Sequence, residues 1–554
     1  MFHVRGLWRF RWLILFNLYL ISPLALYEAQ LGRDLDFAPD KILLFAIPAS
    51  VLWLALVQIL VGRPALAHAI LFPFYLLVAV DHYMIREYQS RLTSSMFAVV
   101  LENWSEASAY LRSNARPISI ALVSLLVPYA IGIWRVRNLV IPLPRSWAWA
   151  PIGLLVLLYG AVTVKQTRAA HWDFAAGWRD VISHDRNSPF AIFPQGFTAW
   201  QVNRAQRDAA LLTSSFSFGA RKSIVVDEPE TFVLVIGESS RPDHWSLYGY
   251  SRDTTPQLRA EPNLIVFRDA VTPASLSQIS VPLILTRADL RTRDVGPPEK
   301  SVISAFNEVG FRSAWLSTQQ RDQWSGQLDR YSIEAESRRF FERTRDGVLV
   351  KALADMLTTR PSTAQKRFVV IHTSGNHFVY SDRYPAEMAI FGGKLRSTGP
   401  DADLIDSYDN AVFYTDHVLA SIIAELKERP GLSAMLYVSD HGENLMDDDR
   451  KLFGHFYGTE YDLRVPLILW YSSSFALKFP EKVAAARVNS ARRVTTAVVF
   501  HTLLDAAGIT VNDERTATRS LLRRALAEEP RLVLRNSETI DFDDQLKKVA
   551  SGQQ

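Results

Sequence analysis

Glu238, Asp440 and His441 are the residues of this 554-residue chain whose types and settings point first to chemistry. Glu238 follows the apolar run Thr231-Phe-Val-Leu-Val-Ile-Gly237, and Asp440-His-Gly-Glu443 follows a second run, Ala434-Met-Leu-Tyr-Val-Ser439. Runs of this kind read as buried parallel strands, and in open α/β sheets ligands gather at the carboxyl ends of such strands. Two carboxylates and an imidazole form a mixed oxygen and nitrogen donor set, which suits zinc and, less well, manganese. Gly442 permits a tight turn, so the adjacent Asp440 and His441 can both reach one ion. An acid after a strand is by itself more often structural, and Glu238 gains its weight from the second strand end.

The elements that must hold these residues are legible in the alternation of patterns after residue 223. Strand-like runs at 232–236, 312–316, 368–372, 435–438 and 465–470 alternate with helical patterns near 301–309 and 403–427. That alternation predicts an α/β domain, a largely parallel sheet covered by helices on both faces.

Ahead of it the composition changes. The mean hydropathy of +0.02 averages an apolar first part, up to about residue 165, with a remainder of mixed charge. Five apolar runs, 12–27, 42–61, 64–80, 117–134 and 147–164, are each ~16–20 residues, close to what a helix needs to cross a bilayer. They predict five transmembrane helices. Arg5, Arg9, Arg11, Arg63, Arg135, Arg137 and Arg145 all fall in alternate connections, which places those connections in the cytoplasm and everything after the fifth crossing outside it. The first helix then serves as an anchor in place of a signal peptide. Residues 82–116 carry Met84, Tyr88, Leu92, Met96 and Val99 at helical spacing, an amphipathic segment for the outer membrane face. The expected domains are therefore 1–165 in the membrane, a bridging linker over 166–225 with a helical stretch at 198–212, and a catalytic domain over 226–554.

The net charge of +4 gives no argument for nucleic acid. The absence of cysteine excludes disulfides, thiolate metal sites and a cysteine nucleophile.

Further stretches carry a resemblance. They are Val235-Ile-Gly-Glu-Ser-Ser-Arg241, Ser246-Leu-Tyr-Gly-Tyr-Ser-Arg-Asp-Thr-Thr-Pro256, Val271-Thr-Pro273 with Ser280-Val-Pro282, His372-Thr-Ser-Gly-Asn-His377 with Arg383-Tyr-Pro385, Tyr408-Asp-Asn410, and Ser439-Asp-His-Gly-Glu443 with Gly454-His455. In these, and in five helices preceding an extracytoplasmic domain, the chain resembles the membrane-bound phosphoethanolamine transferases that decorate bacterial lipopolysaccharide, within the alkaline phosphatase and sulfatase-like fold. The resemblance implies an enzyme of the bacterial inner membrane with its catalytic domain in the periplasm. Where that family has a threonine nucleophile that also ligates zinc, this chain has Ser277, with Ser275 and Ser280 as neighbouring alternatives. Both are alcohols that a bound zinc can activate. By the same resemblance Glu238, Ser277, Asp440 and His441 bind the catalytic zinc, His377 and His455 face the substrate phosphate or a second ion, and Glu106 holds the ethanolamine ammonium. Ala98 and Glu102 depart from the family's lipid-contact positions and carry no expectation.

The reaction so implied has two steps. Ser277 takes phosphoethanolamine from phosphatidylethanolamine as a serine ester, and an acceptor on lipopolysaccharide, at lipid A or a core sugar, or on another envelope glycan, receives it. Phosphoglycerol transfer to a periplasmic glucan uses a similar site and is the alternative. A non-catalytic membrane scaffold would be expected to have lost ligands that are intact here. Sulfatase chemistry needs a formylglycine made from a Cys/Ser-x-Pro-x-Arg pattern, which Ser275-Leu-Ser-Gln-Ile279 lacks. The better-known members close the nucleophile loop with a disulfide; here Pro273, Pro282 and the packing of Leu276, Ile279 and Val281 are expected to hold it.

Overall fold

Segments that are apolar all round can bury their side chains only against one another or in lipid, and the first part of the chain consists of such helices. The computed structural model describes residues 10–31, 47–73, 76, 115–169, 213–291, 299–319, 329–341, 344–358, 365–392, 401–446, 448–513, 515–535 and 538–546. They belong to two units, Met1–Arg204 and Ala205–Gln554. Residues 82–114, which include Glu106, and 198–212 lie outside the described residues.

In the first unit the helices are α1 (Arg11–Leu31), α2 (Ile47–Val61), α3 (Pro64–Ile70), α4 (Ala115–Val136) and α5 (Trp149–Ala169), each on one of the expected runs. Among the described residues, Ile118–Val136 and Arg145–Lys165 are long and apolar enough to cross a bilayer, and α2 with α3, bent by 118°, makes a third if the pair is one span. The five-crossing reading is thus met in helix positions, while the full number of crossings goes beyond these lengths. Leu13, Phe16, Leu20, Leu54, Leu71 and Leu125 form the packed interior. Inside it Gln58 Nε2 donates to Asn17 Oδ1 at 2.6 Å and stands 3.2 Å from His68 Nε2, joining three helices through side-chain polar groups. The Arg135 guanidinium lies 4.5 Å from the Trp12 ring centroid, and Ile141 N donates to the Gly62 carbonyl at 3.0 Å. The start of α1, the α2–α3 turn and the end of α4 therefore share one end of the unit, where Arg11, Arg63 and Arg135 collect.

The second unit is built on a seven-stranded sheet. Its strands are β1 (Glu230–Gly237), β2 (Leu264–Phe267), β3 (Arg312–Ser317), β4 (Ser337–Phe340), β5 (Lys366–His372), β6 (Leu432–Ser439) and β7 (Leu467–Tyr471), in the spatial order β2-β7-β6-β1-β5-β3-β4. β6, β1, β5, β3 and β4 pair in parallel, and β7 runs antiparallel between β2 and β6. β1 is central and buried along its whole length. Phe232, Leu234 and Ile236 enter the main core with Phe306 and Phe368, and the alternate Val233 and Val235 are equally buried on the other face. At ~1.5–3 kcal/mol for each such side chain, burial holds this strand firmly beneath Glu238. Two strands have no counterpart in the expected set. β4 is an edge strand of mostly polar, exposed residues and presents no apolar run, whereas β2, Leu264-Ile-Val-Phe267, is a short apolar run, alternately buried and half-buried, that the expected set passed over.

The expected linker region contributes to this unit from residue 213 on. Phe218 is buried in the main core, and Arg221–Lys222 pairs antiparallel with Ile509–Thr510. Two further helices matter for the site: α6 (Ser277–Leu285) and α7 (Ala402–Lys427).

Candidate metal centre and active site

β1 and β6 are adjacent and parallel, with Gly237 opposite Ser439, so Glu238 and Asp440-His441 leave the sheet side by side. Asp440 N donates to the Gly237 carbonyl at 3.1 Å, which carries the pairing one step past the strands. Gly237 is required because a Cβ there would strike the Tyr437 hydroxyl, and Gly442 because a Cβ would strike the Tyr461 carbonyl. Glycine at these two positions leaves the neighbours room at the strand ends that carry the three ligand candidates.

Glu238, Asp440 and His441 each bring a ligand atom within 4.8 Å of the other two, and all are buried. His441 Nε2 lies 3.2 Å from Glu238 Oε1 and 3.5 Å from Asp440 Oδ2. Ser277 Oγ lies 3.4 Å from both Glu238 Oε2 and His441 Nε2. Ser277 is the first residue of α6, so the positive end of the helix faces its oxygen. Ser280 Oγ, on the same helix, is buried without a hydrogen-bond partner.

The ring orientations are fixed from behind. His441 Nδ1 is 2.8 Å from the Gly442 carbonyl, His455 Nδ1 is 2.8 Å from Glu443 Oε2, and His377 Nδ1 is 2.7 Å from the Phe378 carbonyl. For His441 and His455 that partner is an acceptor, so Nδ1 donates and Nε2 is the nitrogen that binds a cation once the ring is neutral; His377 Nδ1 also lies 3.3 Å from the donor Arg383 Nη2, so its partners do not fix its tautomer. The rings of His441 and His455 are 4.1 Å apart between centroids, and those of His455 and His377 are 6.0 Å apart. The fold thus brings to one place Glu238, Asp440 and His441, named by the strand-end pattern, and Ser277, His377 and His455, named by the resemblance.

The electrostatics call for a cation. Burial and the neighbouring Glu238 charge push Asp440 up to about 7. Burial disfavours a charged His441, yet Asp440 and Glu238 outweigh it and raise the ring to about 10. Burial also works against ionised Glu238, and the His441 charge overrides it, so its pKa falls. Asp440 Oδ2 is buried and has no hydrogen-bond partner among the described residues. Two buried carboxylates, one orphaned oxygen and an imidazole lone pair are a donor set that a divalent cation satisfies. The residues therefore fit zinc.

Several residues that shape the site gave no signal in the sequence. Gln319 Nε2 donates to Glu238 Oε2 at 3.1 Å, from 81 positions away in the chain. Asp346 accepts from Ser374 N and Gly375 N at 2.9 Å and so holds the turn that leads to His377. Tyr380 donates to Glu443 Oε1 at 2.9 Å behind His455. None belongs to a motif, and only tertiary contact reveals them. The stretch 246–256, by contrast, is scaffold: Arg252 pairs with Asp409 at 2.6 Å and Asp406 at 2.8 Å, and Tyr248 Oη donates to the Leu467 carbonyl at 3.0 Å.

The nucleophile loop is tied without sulfur. Leu534 N donates to the Pro273 carbonyl at 2.8 Å and Thr272 N to the Leu463 carbonyl at 2.8 Å. Val281 is fully buried.

The family model described as Sulfatase matches residues 230–509, just over half of the chain. The chain belongs to the sulfatase family. Within it, phosphoethanolamine transferase EptC of Escherichia coli (strain K12) is 29% identical to this sulfatase-family chain over 501 residues, 84% of each protein. The crystal structure of the C-terminal periplasmic domain of EcEptC from Escherichia coli in complex with Zn aligns with a TM-score of 0.52 and 27% identity, over 59% of this chain and 97% of that one. The integral membrane protein lipooligosaccharide phosphoethanolamine transferase A (EptA) from Neisseria meningitidis aligns with a TM-score of 0.67 over 92% of this chain and 96% of that one. At 19% identity it is a likeness of fold, one that takes in the membrane helices as well as the α/β unit.

Proposed function

We propose that the protein transfers phosphoethanolamine from phosphatidylethanolamine to lipopolysaccharide or another glycan of the cell envelope, from the periplasmic side of the inner membrane. The observation that carries this reading is the position of Ser277, a hydroxyl at a helix N-terminus 3.4 Å from Glu238 and from His441. Similarity to EptC along most of both chains supports the substrate class. In this reading residues 1–165 form five crossings, 166–225 form a bridge, and 226–554 carry the catalysis. The Arg11, Arg63 and Arg135 end faces the cytoplasm.

Glu238, Asp440 and His441, with Ser277, would hold zinc, which when bound lowers the pKa of the serine hydroxyl and polarises the phosphoryl oxygens. Ser277 Oγ attacks the phosphorus, its bond to the glycerol oxygen breaks, and diacylglycerol departs with a proton. An acceptor oxygen then attacks the same phosphorus and returns the hydroxyl to Ser277. His377 and His455 face the phosphate oxygens and offset the charge that builds on them. Glu106 takes the ethanolamine ammonium.

Incubation of the full chain with phosphatidylethanolamine tests the reading. One phosphoethanolamine mass is expected on the peptide containing Ser277, with transfer abolished in Ser277→Ala and partly kept in Ser277→Thr. Transfer by Ser277→Ala at the parental rate, or an adduct mapped to Ser275, would refute the assignment.

A further inference from the structure

Behind the metal ligands, we infer that Gln319 is a positioning residue: its side-chain amide holds the Glu238 carboxylate in the orientation that faces Asp440 and His441. The inference rests on the reading of those three residues as the metal set and extends it. Gln319 lies just past the end of β3 and is 5% exposed. Its Nε2 donates twice, to Glu238 Oε2 at 3.1 Å and to the Thr373 carbonyl at 2.9 Å. Both partners are acceptors, which fixes the amide with its nitrogen toward Glu238.

The arm that carries this amide is itself braced. Gln319 N donates to Ser317 Oγ at 3.0 Å, and Thr318 N to the His372 carbonyl at 3.1 Å. Thr318 Oγ1 donates to Asp346 Oδ1 at 2.5 Å, and the same carboxylate accepts Ser374 N and Gly375 N. One buried acid thus joins the end of β3 to the turn leading to His377, and Gln319 extends that brace to Glu238.

Around Glu238, Ser239 Oγ donates to Oε1 at 2.8 Å, where His441 Nε2 also stands at 3.2 Å, and Ser277 Oγ approaches Oε2 at 3.4 Å. Ser277 is committed to the chemistry, so Gln319 is the donor that can keep Oε2 in place while Ser277 changes its bonding. Its neutrality matters as much as its reach. A cationic side chain there would offset the carboxylate charge and weaken its hold on a metal ion, whereas a neutral amide orients the charge without cancelling it.

The test is a zinc titration of the full-length protein in detergent, by competition with a chromophoric chelator, for the parent, Gln319→Met and Gln319→Asn. Methionine keeps the size and removes the donor; asparagine keeps the donor on a shorter arm. Loss of a hydrogen bond behind a ligand typically weakens metal affinity by about 10–100-fold, and both variants are expected to bind zinc that much more weakly. Activity should recover toward the parental level as zinc is raised, a rescue that general damage to the fold would not give. A folded variant with parental zinc affinity, or one whose lost activity zinc does not restore, overturns the inference; should Gln319→Met fail to fold, Gln319→Asn decides alone. A parent that takes up no zinc refutes the reading of the metal set and the inference together, and is told apart because the parent titration itself is flat.

Discussion

Each unit buries a polar cluster, and the two clusters are of opposite kinds. In the membrane unit Asn17, Gln58 and His68 meet across three helices with amide donors on amide and ring acceptors. In the α/β unit Glu238, Asp440 and His441 bring two carboxylates to one ring and leave Asp440 Oδ2 without a hydrogen-bond partner among the described residues. A neutral network that satisfies itself ties helices together and asks for nothing more. A charged one that does not is complete only with a ligand. Burial and polarity are common to both, and charge balance separates a structural tie from a site.

Metal removal breaks the comparison most directly. A strong chelator is expected to drop transfer to background and added zinc to restore it, while dithiothreitol leaves it unchanged because the chain has no cysteine. Activity that survives complete metal removal would contradict the site, and loss with reductant alone would contradict the sulfur-free bracing of the nucleophile loop.

A smaller effect is expected from Asp440→Asn. Burial and the Glu238 charge raise the Asp440 pKa to about 7, so its ionised form costs stability above that pH, and the metal-free variant should melt higher there, by roughly 2 °C for each kcal/mol of relieved repulsion, and should no longer be stabilised by zinc. Calorimetry with and without zinc reads both. A lower melting temperature in the metal-free variant would mean that the carboxylate is an ordinary structural partner.

The smallest effect belongs to the membrane. Gln58→Leu should cost about 0.6 kcal/mol, and at most ~1.7, because hydrogen bonds between transmembrane helices are worth little net, and the zinc dependence of activity should remain parental. If that variant alters the zinc response, the membrane cluster is more than a tie between helices.

Those two kinds of cluster were unequally legible in the chain. The metal set announces itself because Glu238 and Asp440 end apolar runs, and such runs fix both the strand and the place where it stops. The parallel core of the sheet was readable for the same reason. The edge strand Ser337–Phe340 was not, since its exposed polar residues form no pattern. Gln319, Asp346 and the Asn17–Gln58 pair escaped because a polar side chain acquires a role only when a distant partner is brought to it, and local spacing carries no trace of that partner. His377 and His455 were legible only through resemblance to a family, each being a single histidine in a loop.

Gly375 has a consequence for how the sequence can drift. Its φ of +45° and the 2.8 Å that would separate an added Cβ from the Glu238 carbonyl oxygen leave room for no side chain. The turn that presents His377 lies directly on the peptide of Glu238, and Asn376 N donates to that carbonyl at 2.9 Å. Selection on the protein would therefore guard a residue without any functional group as closely as the ligands themselves.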